Sequence, residues 1–210
     1  MSSKQAPTEG IFVAVTGPSG SGKTSVCKAL LGMFPRLRFS VSLTTRPPRP
    51  SEVDGEDYHF VSEAEFRERI RRGDLIEWAE NYGHLYGTSR KAMEEALKGH
   101  DLLLDVDTRG ARALKKAWPG GIFVFIVPPS IEELERRLRA RGSETEETIR
   151  RRFDNAIREI REIVWYDYII VNDELDAAID RLRAVYLAAT CRRERMMEKI
   201  KPFFDRPGGV

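Results

Sequence analysis

Only two cysteines, Cys27 and Cys191, occur in 210 residues, and they share no metal-ligand spacing. That excludes a disulfide framework and the usual Cys/His zinc patterns, and free thiols predict a reducing, cytoplasmic setting. Long hydrophobic runs are missing too. The longest uninterrupted aliphatic-aromatic stretch, Ile122 to Val127, has six residues, far below the roughly 20 that span a bilayer. The opening residues, MSSKQAPTEG, carry no apolar segment, which predicts no secretory leader. No charge of one sign dominates: 35 Lys+Arg against 33 Asp+Glu leaves +2, too little for a general nucleic-acid or membrane binder. Internal repeats and low-complexity runs are absent. Nowhere does an Asn-Lys-x-Asp motif of regulatory GTPases occur, which weakens a switch-GTPase reading.

What is present alternates. Short β-branched runs take turns with longer charged amphipathic stretches, the mark of an α/β fold with a mostly parallel sheet. The runs predict strands at Ile11–Thr16, Phe39–Leu43, Leu102–Val106, Ile122–Val127 and Tyr168–Val171. Most are nearly continuous apolar segments, as a sheet covered on both faces requires. Helices are predicted over Lys23–Met33, from Ser62 to about Arg72, over Ser89–Lys98, from Ser130 to Arg141, from Glu146 to Val164, and from about Glu174 to Glu198. Ser62-Glu63-Ala64-Glu65 reads as a capping box and Gly73 as a stop. Ile149, Phe153, Ile157, Ile160 and Val164 fall on one helical face. Residues 1–9 and 206–210 read as frayed ends. The stretch from about Thr44 to Tyr86 breaks the alternation, with a Pro-rich loop, an Asp54-Gly55 turn and short β pieces near Tyr58–Val61 and Leu75–Ala79. It reads as an insertion folded onto the core.

Gly17-Pro18-Ser19-Gly20-Ser21-Gly22-Lys23-Thr24 matches G-x-x-x-x-G-K-[ST] between a predicted strand and a predicted helix. Such a loop turns backbone N–H groups toward a phosphate at a helix N-terminus. Lys23 then reaches the transferred phosphoryl group, and the Thr24 hydroxyl suits Mg²⁺. Leu102-Leu103-Leu104-Asp105-Val106-Asp107 is an apolar strand ending in two carboxylates two residues apart, hence on one face. Asp105 fits the acid that orders Mg²⁺ arriving with a nucleotide.

Arginines separate a kinase from an ATPase. Arg36 to Arg49 holds four arginines and no acid, and Arg136 to Arg152 holds seven arginines against three glutamates. Planar guanidinium groups bind phosphate bidentately, so two such clusters suggest a second phosphorylated ligand and a lid.

Several segments now combine: Gly17–Thr24, Phe39 to Arg49, Asp54 to Phe60, Ile76-Glu77-Trp78, Tyr86-Gly87-Thr88, Leu104 to Asp107, Arg141 to Thr145 and Val171-Asn172-Asp173. Together, in this order, they closely resemble guanylate kinase over about residues 10–190. The resemblance implies a P-loop NTPase core with a parallel, mostly five-stranded sheet flanked by helices, plus an inserted mixed α+β substrate-binding region and a helical lid. It implies core segments 10–43 and 87–190, a GMP-binding insertion at about 44–86 and a lid at about 137–152; beyond it, Arg192, Arg193, Arg195, Lys199 and Lys201 make residues 191–210 a basic C-terminal helix end and tail. It also implies MgATP + GMP giving ADP + GDP, with ATP and GMP as partners. No protein partner is required, and an oligomer is compatible.

Position by position, the resemblance places Ser42, Arg46, Arg49, Tyr58 and Tyr86 at the GMP phosphate. It places Glu77, Thr88 and Asp107 at guanine, Asn172 near adenine, and Arg137, Arg141 and Arg152 on the transferred phosphoryl. Guanine offers N1–H and an exocyclic amine as adjacent donors, which one carboxylate accepts together. Two rival readings stand beside this one. The first is an interaction module that has lost catalysis, against which Lys23, Thr24, Asp105 and the lid arginines are all intact. The second is a phosphotransferase for another small phosphate such as a ribose bisphosphate, against which the Glu77 and Thr88 segments argue.

Overall fold

Phe12–Thr16 (β1) opens the fold, and all five residues are buried. The computed structural model describes residues 10–81, 83–140 and 145–204. The predicted frayed ends and the predicted helix end at Arg141-Gly142 lie outside those residues. Around β1 runs a parallel sheet of five strands: Leu37–Phe39 (β2), Asp101–Asp105 (β7), β1, Ile122–Val127 (β8) and Tyr168–Val171 (β9), in that order. Its side chains alternate between two cores. Val13 and Val15 point into one, with Leu103, Val124 and Ile126. Phe12 and Ala14 point into the other, with Leu102, Leu104, Phe123 and Phe125. The first core is covered by Lys23–Met33 (α1) and Leu175–Thr190 (α7), the second by Arg90–Ala96 (α3) and Thr108–Ala117 (α4). Burial on both faces is why these strands read as continuous apolar runs.

A second sheet takes the order Tyr58–Phe60 (β4), Ser42–Thr44 (β3), His84–Ser89 (β6), Leu75–Asn81 (β5). Its helix, Glu63–Arg72 (α2), buries Phe66 against Leu43, Leu75 and Leu85. The Ser62 hydroxyl accepts from Glu65 N–H and Gly73 closes the helix with φ of 71°, so the local capping signals fixed both ends. Ile131–Arg139 (α5) and Glu146–Arg161 (α6) pack through Leu134, Leu138, Ile149 and Ala156. A 3₁₀ turn, Glu162–Trp165, follows.

Two expectations needed correction. The predicted strand Phe39–Leu43 is two strands: β2 ends at Phe39, and after Ser40 N–H donates to Leu103 C=O the chain leaves for the second sheet. The predicted final helix breaks after Thr190, whose hydroxyl bonds the Leu187 carbonyl. Arg193–Phe204 (α8) then turns back, bringing Arg195 2.9 Å from the buried Asp101 carboxylate. Neither α4 nor β6 was predicted. Among the described residues no helix is long and apolar enough to cross a membrane.

Candidate active site

In the parallel sheet β1 lies between β7 and β8, and the crevice beyond the strand C-termini is the usual ligand position in such folds. The Gly17–Thr24 loop fills it. Gly22 caps α1 with φ of 82°, and a Cβ there would sit 2.2 Å from Asn172 Nδ2. Only glycine meets both conditions. Asn172 Nδ2 donates to the Ser21 carbonyl at 2.7 Å, bracing the loop from β9's end. The first turn of α1 carries no acid and its cap offers no side-chain acceptor, which leaves the helix N-terminus suited to an anion. The Lys23 ammonium pairs with Asp105 at the end of β7. Thr24 is exposed beside it.

One cavity of about 420 Å³ joins this loop to the second sheet. Residues 17–25 line one part of it, and Ser42, Arg49, Tyr58, Glu77 and Tyr86 another. Asp105, Asp107 and Glu159 bring further carboxylates to it. Segments far apart in sequence thus share one cleft of suitable size for small ligands.

A β-bulge in β5 between Leu75 and Glu77 sets the second wall. Along this strand Leu75 is buried in the second sheet's core, Ile76 in the main core, and Glu77 beside Thr88. Glu77 is 6% exposed and faces Thr88, whose hydroxyl donates to Glu77 Oε1 at 2.6 Å. Burial pushes the Glu77 carboxyl up to about 7 against the lowering pull of Thr88, and the Asp107 charge pushes the same way. Asp107 caps α4, its Oδ1 accepting from Gly110 N–H at 2.8 Å.

The guanylate kinase family model matches residues 11–189. The chain belongs to the guanylate kinase family. The guanylate kinase of Geobacter metallireducens is 50% identical over 198 residues, 94% of this chain and 98% of that one. That of Syntrophus aciditrophicus is 50% identical over 197 residues, covering 93% and 95%. The crystal structure of guanylate kinase from Anaplasma phagocytophilum superposes with a TM-score of 0.75 at 32% identity, covering 96% of this chain and 98% of that one.

Within this guanylate kinase family chain, not every expected residue lies in the cleft. Arg46 stacks over the Tyr58 ring, 5.4 Å from its centroid, and pairs with Glu52 at 2.8 Å. Arg137 and Asn172 line an adjoining cavity of about 390 Å³ with Gly20, Gly22, Ser25 and Asp173. Arg137 donates to Glu133 at 2.7 Å and to the Asn172 carbonyl at 3.0 Å. Arg152 lies on α6 and is not among the residues lining the 420 Å³ cleft. Arg141 is outside the described residues.

Two residues escaped sequence reasoning. Glu52 holds Arg46 with Oε1 and accepts from Arg49 N–H through Oε2 at 2.8 Å. Glu159 lines the cleft, and burial pushes its carboxyl up to about 7, Asp107 raising and Lys23 lowering it. Glu52 had a local signal, since it lies three residues after Arg49. Glu159 had none, since it lies off the apolar stripe of α6.

Proposed function

We propose that this chain transfers the terminal phosphoryl group of MgATP to GMP, giving ADP and GDP. The observation that carries the reading is the continuity of the cleft: the phosphate loop and Glu77 line the same 420 Å³. Two nucleotides meeting there would bring the acceptor phosphate toward the donor phosphate.

In this reading Gly17, Pro18, Ser19, Gly20, Ser21, Gly22 and Thr24 hold the ATP phosphates, and Asn172 serves that site by bracing the loop. Lys23 exchanges Asp105 for phosphate oxygens and follows the charge as it moves. Ser42, Arg49, Tyr58 and Tyr86 grip the GMP phosphate, with Arg46 set by Glu52. Glu77 accepts guanine N1–H and the exocyclic amine, while Thr88 holds its other oxygen and Asp107 faces the base. Adenine, with a lone pair at N1, would leave the buried carboxylate unpaired, a mismatch worth roughly 10⁴–10⁵ in rate. Arg137, Arg141 and Arg152 close over the transferred group, excluding water so that GMP rather than solvent is the acceptor. The acceptor phosphate is already anionic, so positioning and charge neutralisation supply the catalysis.

Thr24 Oγ1 and the Asp105 carboxylate are hard oxygen donors, the type Mg²⁺ takes. Among the described residues no three His, Cys, Asp or Glu side chains group as metal ligands, so phosphate oxygens and water would complete the shell. Bound there, Mg²⁺ would neutralise charge on the ATP phosphates.

An acceptor panel with MgATP tests the reading. GDP should form with GMP, and AMP and ribose phosphates should give less than roughly a thousandth of that rate. ATP binding without GDP formation would refute it.

A further inference from the structure

Gly110 stands in the first turn of α4 and is buried. Helices disfavour glycine against alanine, so its place there needs a reason. The reason lies across the gap to β5. A Cβ on Gly110 would sit 2.7 Å from Glu77 Oε2, 3.2 Å from Glu77 Cδ and 3.4 Å from Asp107 Oδ1. The first of these distances is closer than carbon and oxygen approach without a bond. Glu77 cannot give way freely, because Thr88 holds its Oε1 at 2.6 Å and the side chain is 6% exposed. The same glycine fixes the neighbouring acid through its N–H to Asp107 Oδ1 at 2.8 Å.

We propose that Gly110 is a positioning residue for base recognition: its missing side chain gives Glu77 Oε2 the place from which it meets guanine, and its N–H holds Asp107 beside it. The inference rests on the reading of Glu77 as the guanine acceptor. An added methyl displaces the end of one side chain and no backbone, so the fold survives while the carboxylate moves.

The test compares wild type, Gly110→Ala, Glu77→Gln and the double variant, with GMP and with inosine monophosphate, which lacks the exocyclic amine. Gly110→Ala should stay folded, keep KM for ATP within about twofold, raise KM for GMP at least about tenfold and erode the preference for GMP over inosine monophosphate by a similar factor. In the Glu77→Gln background the same alanine should change KM for GMP by less than about twofold, because residues acting through one contact are not additive. Unchanged GMP kinetics in Gly110→Ala, fully additive effects in the double variant, or loss of folding would each overturn the proposal. A wild type that ignores GMP, or a Glu77→Gln variant indifferent to it, would instead overturn the functional reading beneath.

Discussion

The two ends of the cleft are built by different means. The phosphate end is one contiguous loop, residues 17–24, held between β1 and α1. The other, base end draws Glu77 and Asp107, together with Ser42, Tyr58 and Tyr86 that we propose at the GMP phosphate, from separate strands and a helix cap. The first depends on backbone dihedral angles, with Gly20 at φ of 90° and Gly22 at φ of 82°. The second presents side chains and depends on register and on what packs behind them. Phosphate is recognised alike in many nucleotides, so a local motif suffices. A purine edge differs by single protons, and reading it takes groups that only tertiary structure brings together.

The largest effect should come from Lys23, the cationic side chain of the phosphate end. Lys23→Met should lower kcat at least about a hundredfold, the scale lost with one charge-stabilising donor, in a protein still folded by circular dichroism. Turnover near wild type in an ADP-release assay would break the contrast, since the loop would then act through backbone alone.

Next comes the base end. Glu77→Gln should raise KM for GMP roughly 10–100-fold, as hydrogen bonds to a charged group are worth about 1.5–3 kcal/mol, and leave KM for ATP unchanged. The pH dependence follows from burial. With its carboxyl raised from 4.5 to about 7, folded Glu77 keeps a proton that the unfolded chain has released in that window. Stability from this group is therefore greatest below 4.5 and falls as pH rises through 7. GMP binding runs the opposite way, because the acceptor must be ionised. KM for GMP should fall between about pH 6 and 8 more steeply in wild type than in Glu77→Gln, where the ligand phosphate, with its second pKa near 6, and the Glu159 carboxyl, raised to about 7, still titrate but residue 77 does not. Parallel profiles in the two proteins would remove Glu77 from base recognition.

Legibility in sequence follows the same divide. The loop, α1 and α2 were readable because their signals are local: Gly22 and Lys23 for the first two, Ser62 and Gly73 for the third. Membership in the parallel sheet was readable from apolar runs. The Ser40-Val41 crossing was not, because a chain changing sheets keeps its extended, apolar look. α4 hid because only Gly110, Ala111 and Leu114 are buried on it and its cap, Asp107, reads equally well as a strand-end acid. β6 hid because Gly87 stands at a buried position where β-branched residues are expected, pressed close to Phe66. Glu77 and Asp107, expected at the base through resemblance, line the cleft, while Glu159, which also lines it, and Gly110, which packs against Glu77, carry no spacing signal in the sequence.

The smallest effect should sharpen where the phosphate end stops. Asn172 stands near adenine by resemblance, yet its amide is 3% exposed and donates to the Ser21 carbonyl at 2.7 Å. Asn172→Ala strands that carbonyl, at a cost of about 1–3 kcal/mol, or roughly 2–4 °C in Tm for each kcal/mol in a chain of this size. If the side chain acts as a brace, the loosened loop binds every triphosphate less well. KM for ATP and for GTP as donors should then rise together, several-fold, with KM for GMP unmoved. If instead the amide reads adenine, ATP alone should suffer and the ratio between donors should shift. The geometry favours the first outcome, because the amide is already spent on the loop's own backbone.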